Sequence, residues 1–167
     1  MILSPDRISF DQITDSIWQG SRITSLDDYH RIRAQGVRAC VDLKEAKEGA
    51  ELRSFDAFLW LPTPDHEPPS PLHLRMGLAF LRECEGERLP VLVTCLAGVG
   101  RSATLVLAHL LAGRLRTVEP RDALDFLIAK RPVVRLTPPQ IEAAVQAARG
   151  YLAGSTPPAT DASPPRV

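Results

Sequence analysis

The chain has 167 residues, 44% of them apolar and 24% charged, with 20 basic and 20 acidic side chains and no formal net charge. That size and balance fit one globular domain with its own core, and zero net charge argues against a general binder of nucleic acid or anionic membrane. Three cysteines (Cys40, Cys84, Cys95) in no framework spacing argue against a disulfide-stapled secreted scaffold. The start M-I-L-S-P-D-R carries an early acid and no long apolar core, and the longest apolar run, Ala103 to Ala112, is too short to span a bilayer. The expectation is a cytoplasmic monomer.

Ser9 to Trp18 alternates enough for one or two short strands around a turn at Thr14-Asp15, and Gly20-Ser21 break the pattern. Ser25 suits the N-cap of a helix with Asp27 and Asp28 in its first turn and Gly36 at its end. Val37 to Leu43 reads as a strand, Glu45 to Ser54 as a charged loop, and Ala57 to Leu61 as a second strand closed by Pro62. Pro62-Thr63-Pro64-Asp65-His66-Glu67-Pro68-Pro69 continues neither helix nor ladder.

Ser70-Pro71 then places an N-cap and a proline at N1 before a helix ending near Gly86, with Leu72, Met76, Ala79 and Phe80 on one face. Val91 to Val93 is a charge-free strand of the kind covered on both faces, and Ala103 to Ala112 a buried helix interrupted by His109. Thr117 is the expected cap of a helix carrying Leu124, Leu127 and Ile128. Thr137 is that of a last helix with Ile141, Val145, Ala148 and Leu152 at helical spacing. Strands alternating with helices predict a single α/β domain over residues 1–153, built on a mainly parallel sheet flanked by helices. Residues 154–167, rich in Pro, Ser and Thr, lack apolar content to bury and are expected to be disordered.

The turn Cys95-Leu96-Ala97-Gly98-Val99-Gly100-Arg101 joins the buried strand to the buried helix. Glycines at 98 and 100 permit positive φ and close approach, so successive N–H groups can point inward as a nest. The helix start adds its dipole and unpaired N–H groups, and Arg101 a planar fork that matches two phosphate oxygens. Helix termini and nearby cations also favour the thiolate, the form of cysteine that acts as nucleophile. An anion cradle with a sulfur nucleophile at its floor is equipped for phosphoryl transfer through a cysteinyl-phosphate.

Cys95-x5-Arg101 followed by Ser102 resembles the signature of the cysteine-dependent protein phosphatases, especially the small dual-specificity and atypical kind, and the likeness runs from about Ile13 to Leu152. The resemblance implies a protein tyrosine phosphatase-like fold. It also implies hydrolysis of phosphotyrosine, and of phosphoserine or phosphothreonine; no cofactor is expected. In that family the general acid comes from a loop upstream of the thiol. Asp65, thirty residues before Cys95 in a proline-stiffened loop, is the candidate, with Glu67 and His66 as runners-up. The same order excludes the low-molecular-weight branch, whose acid follows its thiol.

By the same resemblance, Leu96 to Arg101 bind the phosphate and the Ser102 hydroxyl bonds the departing sulfur. Gln140, in T-P-P-Q, matches a glutamine that orients water in some members, and Glu45 an acid that fixes the arginine fork. A solvated helix-start glutamine and a solvated loop glutamate are the alternatives. Thr94 departs from the pattern, since histidine is common there; its hydroxyl can still donate to loop carbonyls.

Leu96, Ala97 and Val99 put no lysine in the loop, which disfavours highly charged inositol lipids and leaves phosphoproteins or small phosphate esters as partners. Two other readings stay open. One is a phosphopeptide-binding module without turnover, for which Thr94 would mark lost chemistry. The other is a rhodanese-like sulfurtransferase, which has no need of Asp65. Scattered histidines at 30, 66, 73 and 109 give no metal-ligand spacing. Cys40 and Cys84 read as packing residues, with a protective disulfide between Cys40 and Cys95 as the alternative.

Overall fold

The computed structural model describes residues 8–46 and 54–154. The expected disordered tail after Gly154 and most of the loop after Glu45 lie outside these residues. Two short strands, β1 (Phe10–Gln12) and β2 (Ile17–Gly20), flank a turn in which the Thr14 hydroxyl accepts from Ile17 N. There follow α1 (Leu26–Ala34), β3 (Ala39–Asp42), β4 (Ala57–Trp60), α2 (Pro71–Gly86), β5 (Val91–Thr94), α3 (Arg101–Ala112), α4 (Pro120–Lys130) and α5 (Pro138–Gly154). The sheet order is β1-β2-β5-β3-β4; β1 runs antiparallel to β2 and every other pair is parallel. The α/β expectation holds.

β5 is the central strand, so all four of its residues are buried, as its charge-free sequence predicts. Its alternation divides the core. Val91 and Val93 face α2, α3, α4 and α5 with Ala39 and Val41, while Leu92 faces α1 with Cys40, Ile32 and Val37. The parallel register Thr94↔Gly20 and Thr94↔Asp42 brings three strand ends together, the place where open parallel sheets bind ligands.

Local capping signals hold where the side chain can reach the first turn. Ser25 Oγ accepts from Asp28 N, and Ser70 Oγ from His73 N with Pro71 in the first turn. Thr137 and Gln140 form a reciprocal box, Thr137 N donating to Gln140 Oε1 (3.1 Å) and Gln140 N to Thr137 Oγ1 (3.4 Å). Thr117 is not a cap. α4 begins at Pro120 after Glu119, because proline preorganises the first helical position.

Two helix faces also differ from expectation. α2 buries Leu74, Gly77, Leu78, Leu81 and Cys84, and leaves Leu72 54% and Met76 45% exposed. α5 buries Ala148 as predicted, but Gln140 and Ala144 in place of Ile141 and Val145, which are only half-buried. Small residues there let it lie against α3, and a Cβ at Gly77 would come within 2.7 Å of Leu105 in the same helix. Close helix contact thus selects small side chains over large apolar ones. Among the described residues no helix is long and apolar enough to cross a membrane.

Asp28 ties α1 to the start of the chain. Its carboxylate accepts from Ile8 N (3.0 Å), Thr24 N (3.1 Å) and Thr24 Oγ1 (2.7 Å). Burial disfavours its charge, but these donors and Arg31 outweigh that and hold the carboxyl below the usual aspartate range. A depressed folded-state value adds stability above the unfolded value of about 3.9, lost as pH falls below it. Asp28→Asn turns an amide against donors. It is expected to cost about 2 kcal/mol at neutral pH, shrinking in acid, as read by urea unfolding at a series of pH values.

Candidate active site

β5 ends at Thr94 and the chain turns through 95–100 into α3. Nearly every carbonyl of this turn is tethered. Leu96 O accepts from Arg22 N (3.1 Å), Val99 O from Arg135 N (3.1 Å) and Gly100 O from Thr104 N (2.8 Å) and its hydroxyl (3.0 Å). Gly98 O takes two buried side chains, Arg131 Nε at 3.0 Å and Gln19 Nε2 at 3.2 Å. In a trans peptide the C=O and the following N–H point opposite ways, and no described bond is cis. The tethers therefore turn the N–H groups of Ala97, Val99, Gly100 and Arg101 the other way, and all four residues line one pocket of about 220 Å³. Gly100, the α3 N-cap, offers no side chain to cap these groups, leaving the helix start to an anion.

Gly98 is required twice over. Its φ is +68°, and a Cβ would lie 2.5 Å from Gly20 C and 2.7 Å from Arg131 Nη2. The loop is thus pressed onto β2 where no side chain fits.

Cys95 lines the pocket and is 2% exposed, its Sγ 3.3 Å from Ser102 Oγ. Arg101 is equally buried. Its Nη1 donates to Thr63 O (2.8 Å) and its Nη2 to Asp65 Oδ1 (2.7 Å), so the upstream carboxylate meets the loop arginine directly. Glu45, the expected partner of Arg101, is exposed instead; the acid loop takes the fork. His66 lines the pocket at φ +64° with its ring almost wholly exposed, 3.7 Å from Asp65.

Gln140 is buried rather than solvated. Its Nε2 reaches His66 O and Glu67 O, both at 3.4 Å, so it braces the acid loop while lining the pocket. Thr94 donates to Ser21 O (2.6 Å) and Cys95 O (3.3 Å), stitching the loop to the chain after β2.

Cys40 pairs in register with Leu92 and packs in the core on the α1 face, away from Cys95 on the other face. Burial, with Asp42 beside it, pushes its thiol well up. A disulfide between the two is ruled out by that placement. Among the described residues no three His, Cys, Asp or Glu gather as a metal site.

Sequence reasoning missed three residues. Gln19 lies in the strand I-W-Q-G, where a polar residue on a buried face was the available signal. Arg131 is 1% exposed and pairs with Asp11 (2.6 Å), a contact 120 residues apart that no local pattern announces. Arg135 brings a second guanidinium to the pocket wall, held by Pro132 O (2.7 Å) and Val134 O (2.6 Å).

A buried thiol and arginine at the two ends of an oxyanion-cradling turn, on this sheet order, define a site of the protein tyrosine phosphatase type. The family model "Dual specificity phosphatase, catalytic domain" matches residues 17–148, and the chain belongs to that family. It is 29% identical over 143 residues to dual specificity protein phosphatase 14 of Bos taurus, covering 81% of this chain and 67% of that one. It is 28% identical over 125 residues to the tyrosine-protein phosphatase vhp-1 of Caenorhabditis elegans, 73% of this chain but only 18% of that longer protein. Among solved structures it resembles PTPMT1 (TM-score 0.75, 22% identity, covering 87% and 98% of the two chains). It also resembles Tk-PTP in its active form (TM-score 0.72, 26% identity, 84% and 97%).

Gly98→Ala is expected to weaken binding of orthovanadate, a tetrahedral oxyanion, at least about tenfold and to lower stability by about 2–3 kcal/mol. Titration calorimetry and thermal unfolding check the two effects separately.

Proposed function

We propose that this chain is a protein phosphatase hydrolysing phosphotyrosine, and phosphoserine or phosphothreonine, through a cysteinyl-phosphate. One observation carries the reading: Cys95, Arg101, Asp65 and the loop residues Leu96, Ala97, Val99 and Gly100 line one pocket. Family membership supports phosphatase activity in the same direction.

In the first step the phosphate enters the cradle and takes the Arg101 N–H that Asp65 holds. The Cys95 thiolate attacks phosphorus, the P–S bond forms as the ester P–O bond breaks, and the leaving oxygen takes the proton that Asp65, freed from Arg101, has picked up from solvent. In the second step water attacks phosphorus and gives a proton to Asp65. The P–S bond breaks with its electron pair on sulfur, where the Ser102 hydroxyl meets the charge. Gln140, positioned at the same wall, orients that water. The fixed N–H groups stabilise the equatorial oxygens in both steps without reorganising.

A structural neighbour was solved as PTPMT1 in complex with PI(5)P. Here the loop itself carries no cation but Arg101, and Arg135 adds one more at the wall. Two guanidiniums suit a phosphoprotein bearing an acidic neighbour better than a multiply phosphorylated headgroup.

Hydrolysis of an aryl phosphate is the test. Cys95→Ser is expected to abolish turnover while keeping oxyanion binding. Asp65→Asn is expected to slow poor leaving groups by roughly a hundredfold or more and good ones far less, because only the former need the proton. Phosphopeptide binding without turnover by the unaltered protein would favour the binding module instead, and productive thiosulfate the sulfurtransferase.

A further inference from the structure

Gln19 is fully buried on β2, yet its amide is only half used. Nε2 donates to Gly98 O (3.2 Å) and to Ser102 Oγ (3.4 Å), while Oε1 has no partner. The amide cannot be turned round, since a carbonyl at Gly98 only accepts. A buried orphan acceptor is costly, and β2 would be more stable with an apolar residue there. That cost suggests a task other than stability.

We propose that Gln19 is a positioning residue that aims the Ser102 hydroxyl at Cys95, and so sets the rate at which the phosphoenzyme is emptied. The proposal rests on the cysteinyl-phosphate reading. Ser102 Oγ accepts from Gln19, so its own hydrogen is left for Cys95 Sγ, 3.3 Å away. A serine in a first helical turn has a rival acceptor, the carbonyl four residues back. Here that carbonyl is Gly98 O, which Gln19 and Arg131 already occupy. Gln19 thus supplies a donor to the hydroxyl and competes for its alternative acceptor.

The hydroxyl matters where negative charge returns to sulfur. When water attacks the cysteinyl-phosphate, the P–S electron pair leaves on Sγ and the water proton passes to Asp65. A hydrogen already pointing at Sγ lowers that barrier. Formation of the phosphoenzyme consumes the charge on sulfur and gains nothing from it. Removing Gln19 should therefore slow the second step and spare the first.

Rapid-quench kinetics with 4-nitrophenyl phosphate separate the two steps. Gln19→Met, similar in shape, is expected to lower kcat about tenfold, the scale of one hydrogen bond to a charged atom, and to leave kcat/KM within about twofold. The burst of nitrophenol should rise toward one per site, and acid-trapped phosphoenzyme should accumulate. Gln19→Leu, which offers neither donor nor acceptor, should do the same and guards against a folding defect in the first variant. In a Ser102→Ala background either substitution should add less than twofold.

Equal losses in burst rate and steady state, or full additivity with Ser102→Ala, would overturn the proposal and leave Gln19 a structural brace. Unchanged kinetics in both variants would overturn it too, while the burst of the unaltered protein upheld the phosphatase reading. No turnover of 4-nitrophenyl phosphate by the unaltered protein would sink both.

Discussion

The site depends on a loop held by its carbonyls. Seven residues cannot close a nest of N–H groups on their own, because each N–H turned inward leaves a carbonyl facing protein that must find a donor. The donors come from distant parts of the chain: Arg22 after β2, Gln19 in β2, Thr104 in α3, and Arg131 and Arg135 after α4. Because those bonds fix the peptide planes beforehand, an arriving oxyanion need not order them. The orphaned Nη2 of Arg131, pressed toward Gly98, belongs to the same compromise between packing and a fixed loop.

The two-sided core makes this compromise tolerable. β5 is clamped between β2 and β3 and buried above and below, so its carboxyl end cannot shift without disturbing both hydrophobic clusters. Thr94 extends the clamp to the first atom of the loop. Where a histidine is common in the family, a hydroxyl reaches Ser21 O and Cys95 O and keeps the turn in register with β2. The candidate site thus follows the central, fully buried strand of the fold, and the tethers carry that constraint into irregular backbone.

Much of this was legible in the sequence, and what was not has a common cause. The loop could be read because its glycines, thiol and arginine are neighbours in the chain, and the caps at Ser25, Ser70 and Thr137 because capping reaches only three residues. Asp65 was readable from resemblance, though nothing local announced that it would hold Arg101 itself. The buried faces of α2 and α5 were misjudged because which face is hidden depends on the helix across the contact. There Gly77 and Ala144 allow an approach that Leu72 or Val145 would prevent, while Ala148 lies on the buried face as expected. Gln19 and Arg131 escaped for a similar reason. Each looks misplaced in its own segment and makes sense only against Gly98, 79 and 33 residues away.

The contact between Asp65 and Arg101 has its own consequence. The acid loop makes four contacts at the site: Thr63 O and Asp65 on Arg101, and the His66 and Glu67 carbonyls on Gln140 of α5. Only one of these, the Asp65 carboxylate, competes with a phosphate oxygen for the same N–H. The others involve backbone carbonyls and can persist when the anion arrives. A side-chain rotation at Asp65 is then enough to exchange partners on Arg101. The loop backbone need not travel for that exchange, because its four prolines and Gln140 hold it while one rotamer changes.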